Sequence, residues 1–312
     1  MKVFSSASDR PAGLPETVVA MGSFDGVHIG HQKVIGDAVA LARKRALAAA
    51  VLTFDPHPAV VLNPARAPKL IMTLGQRLAA LEALGVEYVF ALPFSAAIAQ
   101  LTPTEFVETF LAGALPARIV FVGDDFRFGH RRTGDVSTLR GLGLEVHPAH
   151  PVMWRGVRAS STTIRELVAA GKMIRAARLM GRPFALTGPV VKGQGIGSKQ
   201  TVPTLNLAPE NELIPADGVY VTRTTDPATN RCWRSITNIG NRPTFDGVER
   251  TVETFLLEPF TEPAPGRIDV DFLRYVRAER KFATPEKLKA QIFHDVAVAN
   301  RLHRRLARLA AA

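Results

Sequence analysis

Residues 21–31, Met-Gly-Ser-Phe-Asp-Gly-Val-His-Ile-Gly-His, constrain the fold more than any other stretch of the chain. The apolar run Thr17-Val-Val-Ala20 precedes them, and apolar residues at helical spacing follow them. This pattern predicts a strand, a tight glycine loop and a helix. Because the first N–H groups of a helix lack acceptors and lie at the positive end of its dipole, the loop is predicted to bind phosphate, flanked by His28 and His31.

The same alternation of apolar strands and amphipathic helices continues to about residue 180. Strands are predicted at 17–20, 49–54, 87–92 and 118–122. Alternating strands and helices predict a parallel sheet, of four or five strands in this chain, that binds ligands at the carboxyl ends of its strands. The residues expected at that edge are Asp25, His28, His31, Asp55, His57, Asp125 and Arg127.

A second anion-binding pattern lies at Ser160-Ser-Thr-Thr-Ile-Arg165. Four consecutive hydroxyls at a predicted helix start, followed by a guanidinium, suit the binding of phosphate oxygens. An ordinary helix cap is the alternative.

The overall charge favours an anionic partner. The 312 residues carry a net charge of +11, without the basic tail that wraps DNA, which suits nucleotides or phosphorylated small molecules. With one cysteine, Cys232, an internal disulfide is excluded and a reducing compartment is favoured. We expect Cys232 to lie in the core of a strand. With neither a leader-like segment nor a long apolar run, the protein is expected to be cytoplasmic.

Other nucleotide and metal sites fit the first loop poorly. The His-x-x-His spacing occurs in zinc proteins, but no cysteine or further histidine cluster completes a ligand set. The loop also lacks the Gly-x-Gly-x-x-Gly pattern of dinucleotide-binding folds and the Gly-Lys-Ser/Thr of Walker A loops.

The predicted pattern of secondary structure changes after Gly181-Arg-Pro183. Short strands separated by Gly, Pro and Asn turns predict a small antiparallel barrel or sandwich, and a final helix is expected from Thr284 towards Leu309. At roughly 100–200 residues per domain, this length suits two domains, predicted at 1–182 and 183–312.

Residues 188–206 form a glycine-rich segment with Lys192 and Lys199. Close glycines let backbone N–H groups approach a polyanion. Thr204 and Asn206 alternate along an extended stretch, so both can face one hard cation such as Mg²⁺. A plain glycine-rich hairpin is the alternative.

Four motifs of the first half resemble the FMN adenylyltransferase module of bacterial bifunctional FAD synthetases, a branch of the nucleotidyltransferase superfamily. They are Gly22–His31, Thr53-Phe-Asp-Pro-His-Pro58, Gly123-Asp-Asp-Phe-Arg-Phe-Gly129 and Ser160–Arg165. The resemblance implies an α/β, Rossmann-like domain in which His28 and His31 are catalytic. It also implies an ATP site of Gly22, Phe24, Asp25, His28, His31, Ser160, Ser161, Thr162 and Arg165, and a flavin site of Asp55, His57, Asp125 and Arg127.

The second half resembles riboflavin kinases. The motif Pro203-Thr204-x-Asn206 is intact, and residues 238–245, 251–255 and 276–282 match further motifs. The resemblance implies an antiparallel six-stranded β-barrel with a C-terminal helix, in which Glu253 is the catalytic base. ATP would be bound by Gly193, Gly195, Gly197, Lys199, Thr204 and Asn206, with Thr204 and Asn206 as the ligands of magnesium.

Four departures from the kinase pattern leave alternatives open. Ser198, Thr201 and Leu205 replace the usual Arg, Gly and Ala, and Ala264-Pro-Gly266 replaces Leu-Tyr-Gly. One alternative is an FMN adenylyltransferase with a weak or inactive kinase domain. Another is a flavin- or nucleic-acid-binding regulator without turnover.

Together the motifs predict a bifunctional enzyme of flavin cofactor synthesis. Residues 183–312 would phosphorylate riboflavin to FMN, and residues 1–182 would adenylylate FMN to FAD with release of pyrophosphate. Mg²⁺ and ATP are the expected cofactor and co-substrate, and FMN and FAD the substrate and products. Neither a nucleic acid nor a membrane is an expected partner, and a weak homo-oligomer is left open.

Overall fold

The computed structural model describes residues 1–10, 12–192, 204–244, 247–258, 264–280 and 282–310. The chain divides into two compact units, Met1–Ser161 and Thr162–Ala312. The division of activities after residue 182, expected from the sequence, stays a prediction.

The first unit is built on a parallel sheet with helical connections. Its strands are β1 (Lys2–Phe4), β2 (Thr17–Met21), β3 (Ala48–Phe54), β4 (Tyr88–Leu92), β5 (Ala117–Gly123) and β6 (Glu145–Ala149). Its helices are α1 (Ile29–Arg45), α2 (Pro58–Leu62), α3 (Leu74–Ala83), α4 (Ala96–Gln100), α5 (Pro103–Phe106), which continues as a π-helix over Val107–Ala114, and α6 (Val136–Gly141). A hairpin of β7 (Met153–Trp154) and β8 (Val157–Arg158) follows.

The sheet confirms the predicted α/β class and corrects the number of strands. Six strands pair in parallel in the order β1-β4-β3-β2-β5-β6, where four or five were expected. The two missed strands, β1 and β6, lie at the sheet edges and are largely exposed, so their apolar signal is weak. Every residue of the central β2 is buried, which explains why its continuous apolar run was readable.

The second unit begins on α7 (Ser161–Ala169), whose first residue closes the first unit, and continues with α8 (Met173–Met180). Its strands are β9 (Phe184–Val191), β10 (Thr204–Leu207), β11 (Gly218–Thr225), β12 (Cys232–Thr244), β13 (Gly247–Leu256) and β14 (Arg267–Arg277). The strands form a closed antiparallel barrel in the order β10-β13-β12-β11-β14-β9. The six-stranded barrel is therefore confirmed, and the sandwich is excluded.

Aromatic rings and paired hydroxyls lie buried on the strands of the barrel. Tyr220 packs edge-on against Phe272, with ring centroids 5.1 Å apart, and Phe184 lies 6.1 Å from the same ring. All three side chains are fully buried. Hydroxyls of neighbouring strands satisfy one another at 2.8–3.0 Å; they belong to Thr222, Thr224, Ser235, Thr237 and Thr254.

The expected C-terminal helix is present as α9 (Pro285–Ala310), and it packs against the barrel. Ala299 packs in one cluster with Val219, Val221 and Ile236. Cys232 is the first residue of β12 and is exposed, so the expectation that it lies in the core was wrong. A terminal strand position has solvent on its outer side, which composition alone does not reveal. Among the described residues, no helix combines the length and apolar character needed to cross a membrane.

We expect Phe272→Ala to destabilise the barrel by about 3–5 kcal/mol, because it removes a fully buried ring and leaves a cavity. Phe293→Ala is the matched control, since Phe293 on α9 is 63% exposed. Urea unfolding of the two variants measures the difference. Equal shifts of the unfolding midpoint would contradict the assignment of Phe272 to the core.

Candidate functional site

The first candidate site is the loop that follows β2, residues 22–28, which we term the signature loop. It lies between the ends of β3 and β5, because β2 pairs with both. Phe24, Gly26 and Val27 have φ of +50°, +85° and +34°, so the chain turns tightly. The positive φ of Gly26 would strain any other side chain, and a Cβ there would lie 3.0 Å from Ile71 Cδ1, so the position favours glycine.

The two histidines of the loop lie against each other at the start of α1. Their rings stack with centroids 3.6 Å apart, and Phe24 packs edge-on against His31 at 5.2 Å. His28 caps the helix, since its Nδ1 accepts a hydrogen bond from the backbone N–H of His31 at 3.2 Å. A neutral imidazole that accepts through Nδ1 carries its proton on Nε2. His28 is therefore set to donate through Nε2.

Asp25, expected to bind ATP, holds the loop in place. Its carboxylate accepts backbone N–H bonds from Ile71 at 3.0 and 3.1 Å and from Met72 at 3.2 Å. Its side chain is buried, and its carbonyl accepts the hydroxyl of Ser161 at 2.8 Å. The structure thus assigns Asp25 a contact within the protein, and its role towards ATP stays a prediction.

The hydroxyl-rich motif begins α7 as expected. Ser160 precedes the helix and is half-buried, and Ser161 is its first residue. Thr162 follows on α7 and is exposed, and Arg165 lies one turn further on and is half-buried.

A buried arginine that sequence reasoning missed connects the loops after β2 and β3. Arg77 Nη2 donates to Asp55 Oδ1 at 2.9 Å, and Nη1 donates to the carbonyl of Ser23 at 3.0 Å. Burial lowers the pKa of the Arg77 guanidinium, and the Asp55 carboxylate opposes that shift. The sequence held one sign of this residue. Arg77 lies four positions before the buried Leu81, which places a charge on the inner face of α3.

His57 and Gly22 both have backbone roles near this edge. The Nδ1 of His57 accepts the N–H of Ala59 at 3.2 Å and so caps α2. The N–H of Gly22 donates to the carbonyl of Leu52 at 3.2 Å, which continues the sheet into the loop.

Asp125 and Arg127 follow β5 at the same edge of the sheet, but both are exposed and paired with residues outside the predicted set. Asp125 accepts from Arg158 of the β7–β8 hairpin at 3.1 Å. Arg127 donates to Asp135 at 2.9 Å. A hydrogen bond from the Ser137 hydroxyl, followed by one from the Thr138 backbone, lowers the pKa of Asp135 to about 2. The structure therefore joins the loops after β2 and β3 by direct contacts, whereas Asp125 and Arg127 form separate pairs.

The second candidate site is a row of polar side chains across three barrel strands. In the strand register Asn206 of β10 pairs with Glu253 of β13, and Glu253 pairs with Asn238 of β12. Residues directly opposite each other share a face of the sheet, so the three side chains lie side by side. All three are half-buried. The amide of Asn238 also donates to Glu279 at 3.5 Å, a residue to which sequence reasoning gave no role.

The oxygens in this row suit a hard cation. Thr204 and Asn206 are half-buried and alternate with buried Leu205 and Leu207, so their side chains share one face of β10, as predicted. Hydroxyl, amide and carboxylate oxygens are the ligands that Mg²⁺ prefers. Within the described ranges, no group of three or more His, Cys, Asp or Glu could hold a metal ion. Gly193, Gly195, Gly197 and Lys199 lie outside the described residues.

A cavity of about 600 Å³ opens between the end of β14 and the start of α9. Its lining comprises Arg280, Phe282, Ala283, Lys287, Ala290, Gln291 and His294. The guanidinium carbons of Arg280 and Arg277 lie 5.0 and 5.7 Å from the centre of the Phe282 ring. Arg280, which lines the cavity, directly follows Glu279, the residue that accepts from Asn238 of the row.

Two family models match the chain. Residues 11–163 match the FAD synthetase model, and residues 180–303 match the riboflavin kinase model. A bifunctional riboflavin kinase/FMN adenylyltransferase from Escherichia coli (strain K12) is 34% identical over 282 residues, which cover 89% of this chain and 90% of that protein. The chain belongs to the bifunctional riboflavin kinase/FMN adenylyltransferase family.

Another member of the bifunctional riboflavin kinase/FMN adenylyltransferase family, from Pseudomonas fluorescens, is 34% identical over 290 residues, covering 91% of this chain and 92% of that one. A solved structure, named as a macrolide-efflux protein from Streptococcus pneumoniae, has a TM-score of 0.87 and 31% identity. The match covers 96% of this chain and 98% of that chain. An experimental structure therefore resembles this chain across both units.

We expect Asp25→Ala to destabilise the first unit by about 2–4 kcal/mol, because the N–H groups of Ile71 and Met72 lose their acceptor in a buried place. Asp37→Ala is the control, since Asp37 pairs with Lys33 on the exposed side of α1 and its loss should cost under about 0.5 kcal/mol. Urea unfolding gives the two values. An Asp25 variant as stable as the control would show that this contact does not hold the loop.

Proposed function

We propose that the protein phosphorylates riboflavin with ATP to give FMN, and then adenylylates FMN with a second ATP to give FAD and pyrophosphate. One observation carries the proposal: the chain has two chemically distinct candidate sites, and each lies in a region that a different family model matches. A histidine-bearing loop at the edge of a parallel sheet lies within the FAD synthetase match, and a Glu253 row on a barrel lies within the riboflavin kinase match.

In the adenylyl transfer, an oxygen of the FMN phosphate attacks the α-phosphorus of ATP and the bond to the β-phosphate breaks. The nucleophile is already an anion, so the protein supplies position and charge stabilisation more than base catalysis. His28, through the Nε2 that its cap leaves protonated, and His31 stabilise the charge that develops on the α-phosphate. Gly22, Phe24 and Asp25 shape the loop that receives ATP.

The remaining ligands of this step are proposed from the motifs. Ser160, Ser161, Thr162 and Arg165 bind the β- and γ-phosphates that leave as pyrophosphate. The hydrogen bond from Ser161 to the Asp25 carbonyl joins the start of α7 to the signature loop, which supports a common ATP site. The proposed flavin ligands are Asp55, His57, Asp125 and Arg127.

In the kinase step, Glu253 accepts the proton of the ribityl hydroxyl while that oxygen attacks the γ-phosphorus, and ADP leaves. Thr204 and Asn206 would hold Mg²⁺, which would offset the negative charge of the ATP phosphates. The proposed ATP ligands are Gly193, Gly195, Gly197, Lys199, Thr204 and Asn206. Asn206 and Asn238 flank Glu253 in the strand register.

The cavity beside Glu279 is the proposed riboflavin site of the kinase. Its volume of about 600 Å³ lies in the range of small-molecule pockets, roughly 300–1,000 Å³. Phe282 offers an aromatic surface, and Arg280, which also lines the cavity, suits the carbonyl oxygens of a flavin ring.

Location and partners complete the proposal. We place the protein in a reducing, cytoplasmic compartment because its only cysteine, Cys232, has no disulfide partner within the chain. Its substrates are small molecules, with residues 1–182 carrying the adenylyltransferase and 183–312 the kinase.

A time course of riboflavin, FMN and FAD, started from riboflavin and MgATP, tests the proposal against an adenylyltransferase with an inactive kinase. The bifunctional enzyme forms FMN first and FAD after it. Failure to form either, with FAD still made from added FMN, would support the monofunctional alternative.

We expect Glu253→Gln to lower FMN formation from riboflavin at least about a hundredfold, because the amide cannot accept the hydroxyl proton. FAD formation from added FMN should stay within about twofold of the unchanged protein. Glu258→Gln is the control, since Glu258 forms an exposed pair with Arg234. Chromatography of the flavins measures both steps, and loss of both activities together would contradict separate sites.

We expect the reciprocal result for His28. His28→Asn keeps a side-chain acceptor for the cap of α1 but removes the imidazole, so FAD formation from FMN should fall about 10²–10³-fold. Riboflavin phosphorylation by the same variant should be unchanged. His28→Ala also removes the cap and should cost about 1 kcal/mol more in stability. Rapid pyrophosphate release by His28→Asn would show that the imidazole has no catalytic part.

A further inference from the structure

A buried cation lies directly beneath the ligand edge of the sheet in the first unit. The side chain of Arg77 is 3% exposed, and its two terminal nitrogens contact Asp55 and Ser23. Burial of a guanidinium is unfavourable unless hydrogen bonds and an opposite charge compensate it. Arg77 does not contact a bound substrate directly, because its side chain is buried behind the loops that follow β2 and β3.

The two contacts tie together two loops with different proposed ligands. Ser23 belongs to the signature loop after β2, and Asp55 belongs to the loop after β3 and is a proposed flavin ligand. The strands themselves are paired in parallel as far as Met21 and Leu52. Beyond that point, Arg77 spans the two chains from α3.

The two acceptors of Arg77, the Ser23 carbonyl and the Asp55 carboxylate, depend on it to different degrees. The Ser23 carbonyl has a second donor, the hydroxyl of Thr53 at 3.1 Å. In the part of the chain that the structure describes, Arg77 is the one hydrogen-bond partner of the Asp55 carboxylate. The Asp55 side chain is 36% exposed, so one oxygen is held by Arg77 while the carboxylate still reaches solvent.

We infer that Arg77 is a positioning residue for adenylyl transfer, which orients the Asp55 carboxylate towards the flavin ring of FMN. The inference rests on the proposed adenylyltransferase activity of the first unit. Because Asp55 loses its partner when Arg77 is removed, whereas Ser23 keeps Thr53, the recognition of FMN should suffer more than that of ATP.

Steady-state kinetics of FAD formation from FMN test this asymmetry. Arg77→Met keeps the length of the stem without its charge or donors, and should lower kcat/KM for FMN about tenfold to a hundredfold, chiefly through KM. KM for ATP should stay within about twofold. Arg77→Lys keeps the charge but loses the planar pair of donors. Its kcat/KM for FMN should therefore lie between the values for Arg77→Met and the unchanged protein.

The chain offers two controls. Arg118→Met breaks an ion pair of similar length, 3.0 Å to Glu16, that is exposed in the same unit, and should leave both KM values unchanged. Riboflavin phosphorylation by Arg77→Met should equal that of the unchanged protein, because the kinase residues lie in the other unit.

A double-mutant cycle separates positioning from general stabilisation. If Arg77 acts through Asp55, then Arg77→Met combined with Asp55→Asn should be no worse in kcat/KM for FMN than Asp55→Asn alone. If Arg77 had a purely structural role, the losses in kcat/KM of the two single variants would add, and KM would rise equally for ATP and FMN. That result would overturn the inference. An unchanged KM for FMN in Arg77→Met would also overturn it. If the unchanged protein itself made no FAD from FMN, the proposed function would fall first, and the inference with it.

Discussion

The contact between the buried carboxylate of Asp25 and the amides of Ile71 and Met72 is the constraint on which the first site depends. The signature loop has positive φ at Phe24, Gly26 and Val27, a backbone conformation that persists only where surrounding contacts hold it. Asp25 holds the loop to Ile71 and Met72, and Arg77 contacts the loop at the carbonyl of Ser23. The stacked histidines then sit at the start of α1, where the helix dipole favours an anion.

The second site arises from a different rule, the direct pairing of residues across an antiparallel barrel. Asn206, Glu253 and Asn238 come from three strands that are distant in sequence, yet the register places them in one row on one face. The buried hydroxyls and aromatic rings of the barrel strands keep that register, because a shift of one residue would turn every side chain to the opposite face. Thus one site relies on buried charges in a loop, and the other relies on sheet geometry.

The elements with strong local signals could be predicted from the sequence, and those decided by tertiary contacts could not. The buried run of β2 and the helix after the first glycine loop were readable because each depends on neighbouring residues. The edge strands β1 and β6 and the exposed position of Cys232 depend on what packs beside them. The candidate residues were found through motifs. Arg77, which holds Asp55, lies in no motif, and Glu279 lies in the matched segment 276–282, to which no role had been given. A lone charge on the inner face of α3 was the available sign, and only its contacts with Asp55 and Ser23 explain it.

The central claim is that one chain uses ATP in two different reactions at two separate sites. Radiolabelled ATP tests it most directly. When synthesis starts from riboflavin, FAD should acquire one label from ATP labelled at the γ-phosphate, through FMN, and one from ATP labelled at the α-phosphate. When synthesis starts from FMN, FAD should acquire the α-label alone. FAD formed from riboflavin without the γ-label, or FAD formed from FMN without the α-label, would contradict the account.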